Sequence, residues 1–194
     1  MARPRGDDVR RQIVLATFEC VAQRGVEGMS VREVARATGL SSGTVTYHFA
    51  SRRSLLMDAI GYGYWRLPPR FETRDAATAL SLVLRRYVLA DRKRRTWWQF
   101  WLAVTSCAQT DAEVRAELGR QHTSIIERWR YCLDRGIAEG TFEPGLDTQV
   151  HAQRLTAYAH GLAVSQLIDP GQTGWAEAEL RHAVDVLRLA GQRA

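Results

Sequence analysis

The sequence predicts an all-α protein of about nine helices, in which a small N-terminal three-helix domain joins a larger helical domain. Apolar residues recur at spacings of three and four residues along most of the chain, which is typical of amphipathic helices. No segment shows a convincing strand pattern. A short polar segment at 39–42, which begins with glycine, separates two helical stretches. We therefore expect domains at 1–50 and 68–194, with a connecting helix at 51–67.

The first two helices are indicated by an apolar stripe and by capping residues. The stripe runs from Val9 to Val21 at helical spacing. Ser30 precedes the second apolar run, and Glu33 lies three residues after Ser30, which is the spacing of a capping box. We expect the second helix to end just before Gly39, because glycine permits the left-handed backbone that closes many helices.

The third helix is short and mostly polar. It should run from about Ser42 to Phe49, with Ser41 or Ser42 as its N-cap. Val45 and Phe49 are its large apolar residues at helical spacing, and we expect them to anchor it to the core. Its remaining faces carry groups that form hydrogen bonds, namely Ser42, Thr44, Thr46, Tyr47 and His48. Two helices joined by a tight turn form a helix-turn-helix, whose exposed groups a base edge, a phosphate or water would satisfy.

The connecting helix begins with two arginines. Ser51 is its expected N-cap, and Pro68 and Pro69 should end it near Leu67. Arg52 and Arg53 lie in its first turn, where positive charge opposes the helix dipole. A nearby phosphate would offset that opposition.

Charge is unevenly distributed along the chain. Residues 1–67 contain 10 arginines and 6 acidic residues, whereas residues 68–194 contain 17 basic and 15 acidic residues. The N-terminal third is therefore the more basic per residue, which favours a polyanionic partner there.

The larger domain contains further amphipathic segments. We expect helices at about 75–90, around 125–137, from Asp147 to about Ile168 and at 175–191, with a charged loop at 91–95. The run from Trp97 to Val104 has aromatic residues on several helical faces, so this helix should be buried on several sides. Its tryptophans either fill the core or line a cavity. A cavity would be bordered by Trp97, Trp98, Trp101, Thr105, Trp129, Tyr158 and Gln166.

Several function classes find no support in the sequence. GxSxG, HExxH, P-loop and GxGxxG motifs are missing, so we expect no enzyme and no cofactor. The three cysteines are widely spaced and form no CxxC pair, so neither a disulfide framework nor a metal site is expected. No apolar run is long enough for a membrane span, and the N-terminus lacks the features of a secretion signal. The expected location is the cytoplasm.

The stretch GLSSGTVTYHFASRRSLL resembles the N-terminal DNA-binding domain of TetR-family transcriptional regulators. Residues 43–49 and Arg52 fit the family pattern of a small residue, a threonine, an aromatic, an inward phenylalanine and a lysine. Thr46 stands where the family commonly has tyrosine, and Arg52 replaces the lysine. The segments WWQFWLAV, RWRYCLDRGIAEGTFEPGLD and AYAHGLAVSQLIDP are similar to the C-terminal domain of the choline-responsive BetI-like branch.

This resemblance implies a homodimer that binds an inverted-repeat operator in double-stranded DNA. The residues it places at DNA are Ser30, Arg32, Ser42, Gly43, Thr44, Tyr47, His48 and Arg52, and the polar face of the short helix adds Thr46. The apolar faces of the last two helices could close the domain's own core or meet their copies in a twofold dimer. The resemblance favours the dimer, through Ala157, Gly161, Val164, Leu180, Val184 and Leu187. The expected function is a repressor released from DNA by a small-molecule effector. The alternative is a helix-turn-helix regulator without such a ligand, controlled by a protein partner or by its abundance.

Overall fold

The computed structural model describes residues 6–65 and 75–188, without the side chains of Tyr64 and Trp65. Within this part the chain forms nine α-helices, which confirms the predicted fold class. They are α1 (Gly6–Arg24), α2 (Val31–Thr38), α3 (Ser42–His48), α4 (Arg52–Trp65), α5 (Ala76–Leu84), α6 (Arg92–Cys107), α7 (Ala112–Ala138), α8 (Thr148–Ile168) and α9 (Thr173–Asp185). None of the described helices is long and apolar enough to cross a membrane. The predicted end of the connecting helix near Leu67 lies outside the described residues.

The predicted caps are present at the starts of several helices. Ser30 Oγ accepts the Glu33 N–H at 3.2 Å, and Asp147 Oδ1 accepts the Val150 N–H at 3.0 Å. Ser41, one of the two serines considered, is the N-cap of α3. These side chains satisfy backbone donors that have no partner within the first turn of a helix.

Two predicted boundaries around α5 and α6 are wrong. The helix expected to reach residue 90 ends at Leu84 and continues as a 3-10 turn, Arg85–Tyr87. The buried Gln166 side chain explains this ending, since it accepts the Leu89 N–H at 2.8 Å and donates to the Tyr87 carbonyl at 2.9 Å. Most of the expected loop at 91–95 is instead helical, because α6 begins at Arg92.

The last helix is also shorter than predicted. It ends at Asp185, not near residue 191. Beyond it the Leu187 carbonyl accepts the Glu143 N–H at 3.1 Å, and Phe142 and Arg188 form an isolated antiparallel bridge. The chain therefore leaves α9 to pair with the loop between α7 and α8.

Residues 1–68 and 96–118 form one compact unit, which we call the first unit. Its core joins the apolar faces of α1 to α4 with Phe100, Val104, Ala108 and Val114. Phe18 stacks on Phe100 with ring centroids 4.3 Å apart. Part of α6 and the start of α7 thus complete the core beneath the helix-turn-helix.

Two glycines of α4 have different surroundings within the first unit. A Cβ on Gly63 would lie 3.4 Å from the Phe18 ring and 3.5 Å from the Phe100 ring, which are ordinary van der Waals distances. The Gly63 carbonyl accepts the Trp97 indole N–H at 3.0 Å. Gly61, by contrast, faces open space. Position 63 is therefore packed and position 61 is open, but neither requires glycine for space.

The second unit comprises residues 69–95 and 119–194. In its described part α5 and α8 both pack against α9. Gly136 on α7 lies against Phe142, where an added Cβ would come within 2.1 Å of the ring. Such overlap would force the backbone apart, so this glycine fixes the loop after α7 against the helix.

Candidate nucleic-acid interface

The turn between α2 and α3 has the backbone that its sequence predicts. Gly39 adopts a left-handed conformation with φ 70°, and the Leu40 N–H returns to the Ala35 carbonyl at 3.0 Å. This arrangement closes α2 and lets α3 begin three residues later. Ser41 Oγ then accepts the Thr44 N–H at 3.0 Å and lies 2.9 Å from the Thr44 hydroxyl.

Helix α3 has one buried side and one exposed side. Val45 is completely buried, and Phe49, the C-cap residue, is 2% exposed. Arg10 of α1 covers the Phe49 ring, with its guanidinium carbon 4.9 Å from the ring centroid. Core packing therefore fixes α3 by its middle and its C-terminal end, as predicted.

The predicted DNA-contacting groups of α3 lie on its accessible side. Ser42, Gly43, Thr46 and Tyr47 are exposed, while Thr44 and His48 are partly exposed. Tyr47 is 86% exposed, and its ring meets the His48 ring edge-on, with centroids 5.2 Å apart. The Thr46 hydroxyl donates back to the Ser42 and Gly43 carbonyls, both at 3.1 Å, so its proton is used within α3 while its oxygen can still accept.

Helix α2 adds a basic flank to this surface. Arg32 is exposed in its first turn and forms no ion pair with a described residue. Glu33 does not complete the predicted capping box, because its carboxylate binds Arg24 at 2.8 Å and Arg36 at 2.7 Å. The Arg36 hydrogen bond is the main cause that lowers the pKa of Glu33.

The start of α4 is fixed by local and long-range hydrogen bonds. Ser51 and Ser54 cap each other, with backbone-to-hydroxyl distances of 3.0 and 3.1 Å. Arg52 Nε donates to the Met29 carbonyl at 2.8 Å, and its NH2 donates to the Val26 carbonyl. The expected phosphate-binding arginine is therefore also a brace for the loop between α1 and α2, while the phosphate contact stays a prediction.

Arg53 forms ion pairs that the sequence does not indicate. Its guanidinium forks onto Asp111 at 2.7 and 2.9 Å and reaches Glu113 at 2.7 Å. Arg53 lowers the pKa of Asp111 to about 2 by hydrogen bonding to its carboxylate. Asp111 precedes α7 and Glu113 lies in its first turn, and no local sequence pattern connects either residue with Arg53, which lies 58 and 60 positions earlier.

Comparison with known families identifies this arrangement. Residues 13–59 match the family described as bacterial regulatory proteins, tetR family. Residues 76–188, more than half of the chain, match the family described as BetI-type transcriptional repressor, C-terminal. The chain belongs to the TetR family. It is a DNA-binding transcriptional regulator with a BetI-type C-terminal domain, not an enzyme.

Individual transcriptional regulators match most of the chain. The HTH-type transcriptional regulator PksA of Bacillus subtilis is 25% identical over 166 residues, which cover 83% of this chain and 80% of PksA. A TetR-family regulator from Rhodococcus sp. is 28% identical with a TM-score of 0.82, over 93% of this chain and 98% of its own. A transcriptional regulator from Saccharomonospora viridis, crystallised in complex with choline, is 22% identical with a TM-score of 0.77, over 93% and 95%.

The predicted ligand residues of this TetR-family chain fall in both units. Four of them, Trp97, Trp98, Trp101 and Thr105, lie on the α6 segment of the first unit. Trp98 meets Trp97 and Trp101 edge-on, each with ring centroids 5.1 Å apart. Thr105 Oγ1 is buried and has no hydrogen-bond partner among the described residues. An unpaired buried hydroxyl is costly, which makes Thr105 the least satisfied polar group of this segment.

The other three predicted ligand residues belong to the second unit. Trp129 is buried and meets Tyr87 edge-on at 5.5 Å. The other two already have partners within the chain. Gln166 uses its amide to bind the Leu89, Tyr87 and Leu162 backbones, so its hydrogen bonds are structural. Tyr158 is exposed on α8 and bonds Glu179 of α9, so it is a surface contact.

The predicted dimer residues divide by helix. Ala157 and Gly161 of α8 are exposed, Val164 is partly exposed, and a Cβ on Gly161 would meet no atom within 4 Å. The three residues predicted near the end of the chain, Leu180, Val184 and Leu187, are buried within the chain itself. Helix α9 packs against α5 and α8, so its apolar stripe faces the core of its own chain.

Proposed function

We propose that this TetR-family regulator is a repressor that binds an inverted repeat as a homodimer and leaves it when a small molecule binds. The observation that carries the DNA part is the division of α3 into a buried anchor and an exposed polar side. A base edge read in the major groove requires such a helix, held rigidly from behind. The proposed contacts to bases and to the DNA backbone are Ser42, Gly43, Thr44, Thr46, Tyr47 and His48.

Phosphate contacts are proposed on both sides of α3. Ser30 is the N-cap of α2, at a helix end where free backbone N–H groups and the helix dipole favour an anion. Arg32 follows in the same turn, and Arg52 keeps further donors beyond the bonds it makes to Met29 and Val26. These contacts would set the register of the protein on the duplex, while α3 supplies sequence discrimination.

The homodimer is proposed on the outer face of α8, together with exposed residues near the start of α9. Ala157 and Gly161 offer a small surface for close helix approach, and Ile168 and Trp175 are 81% and 51% exposed. Apolar side chains of this size are rarely left in water when they cluster. A twofold pair is needed because one seven-residue recognition helix covers only a few base pairs.

Ligand control is supported by the α6 segment. Trp98, which is 1% exposed, packs edge-on against Trp97 and Trp101, and the buried Thr105 hydroxyl lacks a partner among the described residues. A ligand with a flat or cationic apolar part and one hydrogen-bonding group fits this chemistry. The choline found in the Saccharomonospora viridis relative has both features, so quaternary ammonium compounds are the first candidates.

Fluorescence and thermal-shift titrations test ligand control. Choline, other cationic compounds, and aromatic and lipid-like compounds are titrated first, and those that bind are then tested for release of DNA. Thr105→Val should keep or raise thermal stability, because valine removes an unsatisfied hydroxyl with little change of shape, yet it should weaken the response to the compound that binds. If none of these compounds releases DNA, the ligand-free regulator becomes the better account.

A further inference from the structure

We propose that Arg53 is a positioning residue for DNA recognition, which fixes the angle of α3 by tying the start of α4 to the turn between α6 and α7. This turn comprises residues 108–111, and all the residues involved belong to the first unit. From the sequence, Arg53 is expected beside DNA, where a phosphate would offset its charge. In the structure its partner is a pair of carboxylates.

The Arg53 contact has the geometry of a strong ion pair. Two guanidinium nitrogens meet the two Asp111 oxygens at 2.7 and 2.9 Å, and Glu113 adds a third short contact at 2.7 Å. Isolated surface ion pairs contribute little, but bidentate arginine–carboxylate networks hold a defined geometry. Only 19% of the Asp111 side chain is exposed, so this end of the network is well ordered.

Asp111 is itself fixed to α7. Its Oδ1 accepts the backbone N–H groups of Glu113 and Val114 at 3.0 and 3.1 Å, and the Val114 side chain is completely buried in the core of the first unit. The carboxylate therefore cannot follow Arg53 if α4 shifts. Arg53 is attached to a rigid point, which is what a positioning contact requires.

Two adjacent arginines fasten the start of α4 in two directions. Arg52 binds the Val26 and Met29 carbonyls before α2, and Arg53 binds the acidic residues before and within the first turn of α7. Between this point and α3 lie only Phe49, Ala50 and Ser51. A rotation of the first turn of α4 would therefore carry over directly to the C-terminal end of α3.

A small shift of α3 should reduce sequence discrimination more than overall DNA affinity. Hydrogen bonds to base edges fail over fractions of an ångström, whereas attraction between arginine and phosphate falls only gradually with distance. Because two carboxylates already neutralise Arg53, the residue is not expected to serve as a phosphate contact. Its effect on DNA acts through α3.

The test compares selective and non-selective DNA binding in full-length variants. The probes are the duplex that the wild-type protein enriches from a random-sequence library and an unselected duplex of equal length. The key variant is Asp111→Asn/Glu113→Gln, because asparagine is as good an N-cap as aspartate and should preserve the start of α7. Arg53→Lys keeps the charge but cannot fork. Arg130→Gln, which removes an exposed arginine near Asp134 on α7, is the matched control.

The proposal predicts that both clamp variants lose about tenfold or more in the ratio of selective to non-selective affinity, the scale of one good base contact. Thermal stability and the control should stay near wild type. Two results would overturn the proposal. The first is an unchanged ratio in both variants. The second is that Asp111→Asn/Glu113→Gln binds both duplexes more tightly than wild type, with a salt slope steeper by about one. The latter would make Arg53 a masked phosphate contact.

Discussion

Tyr47 and Phe49 are two aromatic residues separated by one position, and they have opposite environments. Phe49 is 2% exposed beneath Arg10, whereas Tyr47 is 86% exposed beside His48. A helix that served only to fill space would not display a large ring to water. The exposed ring is therefore the residue of α3 whose removal should affect DNA and leave the fold intact.

Tyr47→Ala should weaken binding to the selected operator by about 1–3 kcal/mol, the value of a good base contact, without lowering the free energy of unfolding. Phe49→Ala is the contrasting variant, since loss of a buried phenylalanine costs about 3–5 kcal/mol of stability. Fluorescence anisotropy and urea unfolding measure the two quantities. Wild-type affinity in a folded Tyr47→Ala protein would remove Tyr47 from the interface.

His160 is a second residue whose environment has a measurable consequence. Its ring stacks on Tyr87 with centroids 5.6 Å apart and lies 6.1 Å from His122. Burial, and secondarily the charge of His122, lower the pKa of His160 to about 4. The folded protein therefore disfavours the protonated ring, while the unfolded chain binds a proton near the ordinary value of about 6.5.

The free energy of unfolding should consequently fall as the pH decreases from about 6.5 to 4, and His160 should account for up to about 3 kcal/mol of the loss. Above pH 6.5 both states are neutral at this ring, and the contribution is fully present. Urea unfolding across this range, on wild type and His160→Leu, isolates the effect from the carboxylates. Parallel pH profiles of the two proteins would contradict it.

At the scale of elements, α8 and α9 use their apolar surfaces differently. The stripe of α9 that contains Leu180 and Val184 is buried within the chain. The outer face of α8 keeps Ala157 and Gly161 exposed and ends near the exposed Ile168. Of the surfaces expected to pair with a second copy, the α8 face is the one that remains available.

Gly161→Leu should therefore weaken the dimer while leaving the protomer folded. No atom lies within 4 Å of the new Cβ, and a helical glycine replaced by leucine gains up to about 1 kcal/mol of stability. Gly119→Leu is the matched control, because Gly119 is also exposed on a helix with open space around it. Sedimentation velocity should show more monomer for the first variant only. An unchanged dimer would place the interface elsewhere.

The elements could be predicted where local chemistry determines them. Ser30, Gly39 and Asp147 act on groups within a few residues, so their caps could be recognised from the sequence alone. The burial of Leu180 within its own chain could not be predicted, because an apolar stripe has the same pattern whether it packs into its own core or against another chain. The Arg53 contact was missed for a similar reason, since its carboxylates lie far along the chain.

At the scale of the whole molecule, neither compact unit is a continuous stretch of chain. Residues 96–118 belong with 1–68, so α6 and α7 each contribute to both units. The core that supports α3 thus includes residues from a helix rich in tryptophan, the same helix that carries the proposed ligand residues. The central claim is that this core presents α3 to a specific DNA sequence, with two copies acting together.

The most direct test of this claim is a selection experiment. The wild-type protein selects duplexes from a random-sequence library, and sedimentation counts the chains bound to each selected duplex. The account predicts enrichment of an inverted repeat whose half-sites are separated by about one helical turn or more, with chains bound in pairs. Tyr47→Ala, carried through the same selection, should enrich it poorly. Failure of the wild-type protein to enrich any sequence, or enrichment of a single half-site bound by one chain, would contradict the account.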